Sequence, residues 1–243
     1  MNRPGPRVVS LVPSATETLL AWRIQPVAVT RFCEHPELAH VGGTKDPDID
    51  AIVELGPDVV VMCREENRSV DALALQDADV HVHDIAPSSV DAVEPSLLAL
   101  ARAMGLAALP VPFGPLPEMR PLGLRAFVPI WRRPWMTMRG TTYGSSLLAA
   151  LGVANVFDDG KPVGGDADRY PEITLDDAAA LGPDVVLAPS EPYPFGGRHV
   201  RELEQVAPVV LVDGQDLFWW GVRTPSALTR LHQELAGFIA DRS

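Results

Sequence analysis

Cysteine is scarce in this chain, and no disulfide spacing is present. Its 243 residues hold two cysteines, Cys33 and Cys63, with no Cys-x-x-Cys pair, so no disulfide framework is implied. Positive charge is also short: 20 Lys and Arg face 32 Asp and Glu, for a formal net charge of −12. Nucleic acid and anionic membranes both select basic patches, so neither is an expected partner. No apolar run approaches the roughly 18 residues of a membrane-spanning helix, so no membrane insertion is expected. The first strand-like run, Arg7–Val12, begins almost at Met1. That leaves no room for the charged and apolar regions of a secretory leader, and a cytoplasmic location is expected as written. A trimmed or misplaced start would make the chain extracytoplasmic. There is no serine nucleophile elbow, no dinucleotide-binding glycine pattern and no His-Glu-x-x-His, so no catalytic residue is assigned and no enzyme is expected.

Against these absences, hydrophobic residues make up 47% and charged residues 21%, enough to bury one large core or two small ones. One stretch repeats. Leu55-Gly56-Pro57-Asp58-Val59-Val60 recurs as Leu181-Gly182-Pro183-Asp184-Val185-Val186. In each copy a helix ends at Gly-Pro, and four apolar residues then suit a buried parallel strand. A spacing this long does not fit a solenoid and predicts two similar α/β lobes. Ligands of such lobes sit beyond the carboxyl ends of the strands. The loops Cys63–Asn67 and Pro189–Phe195 are therefore expected to rim one shared cleft.

Further candidates also fall where predicted strands end. Ser14-Ala15-Thr16-Glu17 reads as a capping box whose helix start favours an anionic group. Val27–Thr30 opens into Cys33-Glu34-His35, a soft-donor pair suited to a transition metal. Strands close to 4.8 Å apart put the ends before Cys33 and Cys63 roughly 10 Å from each other, with the first strand between them. If their loops lean inward, Cys33, His35 and Cys63 converge near Glu65 or Glu66. Otherwise each thiol is an inert, part-buried cysteine. His81 and His83 share one face of a predicted edge strand. Leu109–Pro121 carries five prolines and reads as a linker. The boundaries drawn are an N-terminal lobe over 1–86, a connecting helix and linker over 87–123, and a C-terminal lobe over 124–243. In the second lobe Trp131-Arg132-Arg133-Pro134-Trp135 reads as a loop whose aromatics either pack in the core or line a pocket. Arg139 and Tyr143 lead into another anion-facing helix start. Glu191, Tyr193 and Phe195 share a stiff loop. Trp219, Trp220 and Arg223 follow the last predicted strand, and Thr224 caps the last helix with Pro225 behind it.

Arg7–Thr18 (RVVSLVPSATET) resembles the start of mature periplasmic binding proteins for cobalamin and iron–siderophores, the helical-backbone metal-receptor superfamily. So do Glu65-Glu66-Asn67-Arg68, Gly42-Gly43-Thr44-Lys45, Ser190–Phe195 and Asp213-Gly214 with Trp219-Trp220-Gly221. The likeness spans nearly the whole chain. It implies two Rossmann-like lobes with parallel sheets, joined by a helix, with a metal chelate held between them and delivered to an ABC importer permease. On this footing Trp131, Trp135, Tyr193, Trp219 and Trp220 pack on the chelate, and Arg64, Arg139 and Arg223 pair with its acidic groups. Ser14, Thr16, Glu65, Glu66, Tyr143, Glu191 and Phe195 complete the ligand set. No obligatory cofactor is expected beyond a bound corrinoid, ferric siderophore or transition-metal ion. The alternative is a cytosolic metal-ion handler using Cys33, His35 and Cys63. Ranked last is an enzyme acting on a metal complex.

Overall fold

The computed structural model describes residues 5–160 and 166–242. It divides the chain into two compact units: one takes the chain to Pro87, Asp91–Gly114 and Trp220–Val222, the other takes Ser88–Val90, Pro115–Trp219 and the chain from Arg223 on.

The first unit carries β1 (Val8–Ser10), α1 (Pro13–Ala21), β2 (Ala28–Val29), α2 (Ile49–Leu55), β3 (Val59–Met62), α3 (Ser69–Asp77), β4 (Val82–Asp84) and α4 (Val93–Ala103). Its strands pair in parallel in the order β2-β1-β3-β4. The predicted position of the first strand, between the two that lead to Cys33 and Cys63, is the observed one. All four residues of β3 are buried, as a central parallel strand requires. Val9, Leu11, Val60 and Met62 pack with Ile52 of α2 and Leu75 of α3. Helix α1 begins one residue before the predicted cap. Proline lacks the N–H that a first-turn residue leaves unused, so Pro13 takes the opening position and Val12 the cap. Ser14 therefore lies inside the first turn, and the expected capping box is not formed. Val93, Leu97 and Leu100 of α4, and Met104 at its end, are buried.

The second unit carries β5 (Leu124–Phe127), β6 (Pro129–Trp131), β7 (Trp135–Thr137), α5 (Tyr143–Ala150), β8 (Val153–Asn155), α6 (Asp166–Arg169), β9 (Glu172–Ile173), α7 (Leu175–Ala180), β10 (Val185–Pro189), α8 (Gly197–Leu203), β11 (Val209–Val212), α9 (Gly214–Phe218) and α10 (Thr224–Ala240). A parallel sheet runs β11-β10-β5-β8. The two copies of the repeated stretch thus end in parallel strands of separate sheets. A second, antiparallel sheet, β6-β7-β9, has no counterpart among the described residues of the first unit. It corrects the reading of Trp131–Trp135 as an open loop. The segment is a hairpin, turned at Arg132-Arg133-Pro134 with Arg133 at φ +70°, and a register irregularity separates Pro129 from Trp131. The last helix also starts earlier than predicted: Arg223 is its cap, and the Thr224 hydroxyl is hydrogen-bonded to Tyr143 instead.

The repeated stretch is held the same way in both units. The Arg7 backbone N–H donates to the Asp58 carboxylate at 2.7 Å, and the Asp58 N–H returns a bond to Arg7 O at 2.8 Å. The Arg7 guanidinium turns back to the carbonyls of Leu55 and Gly56, at 2.5 and 3.2 Å. Arg125 makes the same four bonds in the second unit: 2.7 and 2.8 Å with Asp184, 2.8 Å to Leu181 O and 3.3 Å to Gly182 O. Each arginine satisfies carbonyls that the ending helix leaves without intrahelical partners. Gly56 and Gly182 take positive φ, 54° and 61°, to present them. The repeat is first of all an architectural lock at the strand start, at the opposite end from the loops that drew attention to it.

Candidate functional site

In the second unit, three elements bring aromatic side chains together. Trp131 ends β6, Trp135 begins β7, and Tyr193 and Phe195 lie on the loop between β10 and α8. Trp131 and Tyr193 meet edge to face at 5.6 Å. Trp135 stacks on Phe195 at 6.0 Å with planes 7° apart, and Tyr193 leans on Phe195 at 4.8 Å. Phe195 is the buried floor, while Trp131 stays 44% exposed. A tryptophan left that open beside a half-exposed tyrosine makes an apolar face with two polar handles.

Arg132 fixes the rim. Its guanidinium lies 5.9 Å above the Trp135 ring and 2.8 Å from Glu202 of α8. The Glu202 hydrogen bond, and then Tyr193, hold it firmly protonated. Beneath the face lies His199, 4% exposed, in edge contact with both Tyr193 and Phe195. Neither His199 nor Glu202 was singled out from the sequence. Both sit on α8 one turn apart, and the only local signal was a His three residues after Gly196.

Glu191 begins the same loop and is pressed against Gly214, where a Cβ would come within 2.5 Å of Glu191 N and Cγ. The Gly214 N–H donates to the Ser190 hydroxyl at 2.9 Å, which seats the loop on the start of α9. Further on, the Arg223 guanidinium covers the Trp219 ring at 5.1 Å and bonds Asp216 and Gln215 at 3.2 and 3.1 Å. Asp216 is buried and also accepts from Arg230, so one carboxylate orients two guanidiniums. Arg139 pairs with Asp159 at 3.6 Å, and the Asp158 carboxylate crowds Gly140. Two acids therefore lie beside Arg139-Gly140, the segment that leads into α5. Tyr143 is buried; desolvation pushes its phenol up to about 12, and its hydroxyl meets Thr224 at 2.9 Å. A hollow of about 510 Å³ on this unit, lined by Arg125, Ser145, Asn155 and Asp158 among others, includes none of the predicted ligand residues.

In the first unit the predicted residues are spread differently. Thr16 is buried, with its hydroxyl bonded to Ser10, Val12 O and the Cys33 sulfur. The Ser14 hydroxyl is buried and has no hydrogen-bond partner among the described residues. Arg64 crosses from the end of β3 to Asp84 at the end of β4, 2.8 Å away. Glu65 and Glu66 lie on a turn closed by buried Asn67. Its carbonyl accepts the Cys63 N–H at 2.8 Å, and its amide reaches Leu11 O and Thr44 O. Trp220 is buried in this unit.

The structure does not gather Cys33, His35 and Cys63 into a ligand set. Cys33 is buried between the Thr16 and Thr30 hydroxyls, each 3.3 Å from its sulfur, and burial raises its thiol. Desolvation, reinforced by Glu66, raises the Cys63 thiol still further. His35 turns its Nδ1 to Glu37 at 2.9 Å. Among the described residues no group of three or more His, Cys, Asp or Glu side chains is placed to hold a metal ion. The metal-handling alternative required such a group.

Two α/β units with parallel sheets define a two-lobe periplasmic-binding-protein fold. Solved structures of that fold match over 96–99% of the chain. The periplasmic vitamin B12 binding protein BtuF of Vibrio cholerae matches with a TM-score of 0.74 at 20% identity, covering 99% of each chain. A periplasmic heme binding protein from Pseudomonas aeruginosa gives 0.74 at 18% identity, over 96% of this chain and 93% of its own. The heme-binding protein BhuT, solved with two hemes, gives 0.72 at 20% identity, over 96% and 99%. Likeness at these identities establishes the fold. No family model matches the chain. The expected cytoplasmic location is corrected by the same comparison: the structures that share this fold are periplasmic proteins, and the first residues of the chain carry no weight either way. Among the described residues no helix is long and apolar enough to cross a membrane.

Proposed function

We propose that this chain is an extracytoplasmic binding protein for a metal chelate, of corrinoid, haem or iron–siderophore type, which it passes to an ABC importer. The observation that carries the proposal is the aromatic face of Trp131, Tyr193 and Trp135 over a Phe195 floor, on a fold whose solved members bind vitamin B12 or heme. A flat, weakly polar macrocycle or chelate gains from exposed rings that are already ordered, because little side-chain entropy remains to be lost on binding. Arg132 at the rim and Arg223 beside Trp219 are pre-oriented by Glu202 and Asp216. Planar guanidiniums held in this way suit carboxylate or phosphate groups on the ligand periphery. On the second unit, Glu191 follows β10 and belongs to the proposed ligand surround; on the first, Arg64, Glu65 and Glu66 follow β3 and are proposed as ligand contacts of that unit. Tyr143 and Phe195 of the second unit, and Ser14 and Thr16 of the first, are buried and act, in this proposal, by supporting the contacts of their own unit. The role is binding rather than catalysis, and the chelate is cargo.

Tryptophan fluorescence titrated with cyanocobalamin, hemin and a ferric siderophore tests this. At least one should quench with a dissociation constant in the micromolar range or below. No quenching by any of the three, with no heat in parallel calorimetry, would overturn the proposal.

A further inference from the structure

We propose that His199 is the positioning residue of the aromatic face and that it makes the face acid-labile: the neutral imidazole holds Tyr193 and Phe195 in place, and protonation releases them. The consequence for ligand release rests on the binding role proposed above; the conformational part does not.

His199 is the third residue of α8. Its backbone N–H donates to Gly196 O at 2.8 Å, and its Nδ1 accepts the Gly196 N–H at 3.1 Å. The imidazole thus supplies the half of a capping box that a Glu or Gln side chain ordinarily supplies, and the Gly196 carbonyl stands in for the side chain that glycine lacks. A ring nitrogen that accepts a backbone N–H carries its lone pair, so this hydrogen bond assigns Nδ1 as unprotonated. The other ring nitrogen, Nε2, faces the Tyr193 hydroxyl at 3.5 Å. Both neighbouring rings meet the imidazole edge-on, with centroids 5.5 Å away at 63° for Tyr193 and 78° for Phe195. One side chain therefore ties the start of α8 to the two rings that form the face and its floor.

The surroundings oppose a charge on that ring. Burial disfavours the imidazolium first, followed by the Arg198 guanidinium and that of Arg132 on the β6–β7 turn; Glu202 alone favours it. The Arg198 Nε–H points at Nε2 from 3.2 Å, so both ring nitrogens face donors and, among the described residues, nothing beside Nε2 but the Tyr193 hydroxyl could take a second proton's hydrogen bond. An imidazolium has no lone pair for Gly196 and would set its charge against this guanidinium. Relief requires the ring to leave, which breaks the box and withdraws the support under Tyr193 and Phe195. The unfolded chain takes up a proton here near pH 6.5, while the folded one resists it. The neutral ring's contribution is thus complete above about pH 6.5 and is lost as the pH falls below it.

The test uses the ligand-free protein, because Trp131 and Trp135 report on the cluster. Tryptophan fluorescence followed from pH 8 to pH 5 should show a reversible transition in the wild type below about pH 6.5. The H199N variant keeps a short oxygen acceptor for Gly196 but does not titrate, so it should lack the transition. The R198A variant alters only an exposed arginine, and it should move the midpoint to higher pH. A wild type with no transition overturns the proposal, and so does a transition that persists in H199N. If H199N does not fold, R198A decides: a midpoint that stays put or moves down overturns it. For a chelate found to bind at pH 7.5, the wild-type dissociation constant should rise at least fivefold by pH 5.5 and that of H199N should stay within twofold. Equal rises would overturn the release role while leaving the chelate-binding reading untouched.

Discussion

Gly221→Ala measures how closely Trp220–Val222 is seated on α1. Gly221 holds φ at +120°, a conformation that an L residue enters only at a cost of about 1–2 kcal/mol. An added Cβ would fall onto the Thr18 hydroxyl oxygen. That hydroxyl cannot swing aside freely. Thr18 is fully buried, donates to Ser14 O at 3.0 Å and accepts the Val222 N–H at 3.4 Å. A β-branched side chain in a helix has few other rotamers, so displacing it adds about 1–3 kcal/mol. The expected destabilisation is therefore about 2–5 kcal/mol, of which only the steric part depends on Thr18. Thr18→Ala alone should cost about 1 kcal/mol for its hydrogen bonds. The double variant should then be about 1–3 kcal/mol more stable than the two single losses predict. Urea unfolding of all four proteins, followed by circular dichroism, gives the comparison. Wild-type stability in Gly221→Ala, or strict additivity in the double variant, would refute the reasoning.

Arg7→Ala and Arg125→Ala should each cost about 1 kcal/mol in the same assay, a modest loss because the bonds are solvent-exposed, and they should add. A pair that differs widely would contradict the shared lock. Asp216→Asn should cost about 2 kcal/mol, since Arg223 and Arg230 lose a buried counter-charge while Arg230 keeps access to water. A thermal melt indistinguishable from wild type would contradict this. Both thiols are buried and raised, so neither should react with a disulfide reagent at pH 8 faster than the chain unfolds. A fast one-equivalent phase would contradict the burial.

Periodicity and composition made the parallel sheets legible. Val59–Met62 and Val185–Pro189 are apolar runs flanked by Gly-Pro turns, and a strand covered on both faces has no other signature. The Asp48 cap and the Thr174–Asp177 capping box depend only on neighbours within three residues, a range that sequence carries directly. Tertiary competition accounts for the differences. Pro13 outcompetes Ser14 for the α1 start, and Thr224 turns to Tyr143. The β6-β7-β9 sheet was hidden because its strands are two or three residues long, too short to show alternation. The aromatic residues of the candidate site stood out by type. Their assembly did not, because Trp131 ends a strand of one sheet and Tyr193 follows a strand of another, far apart in the chain. His199 and Glu202 were invisible for the same reason: what matters about them is which rings and guanidiniums they meet. Cys33 and Cys63 were correctly placed after strands flanking the first one, but burial and hydroxyl partners, which decide their chemistry, are not written in spacing.

The central claim is that a chelate lies on the face formed by Trp131 and Tyr193. Calorimetric dissociation constants for the bound chelate, wild type against Trp131→Ala, test it most directly. Trp131 is 44% exposed, so its loss should leave the melting temperature unchanged. Binding should weaken by about 5- to 150-fold, the range for a stacked aromatic removed from an interface. Equal affinity in the two proteins would contradict the account.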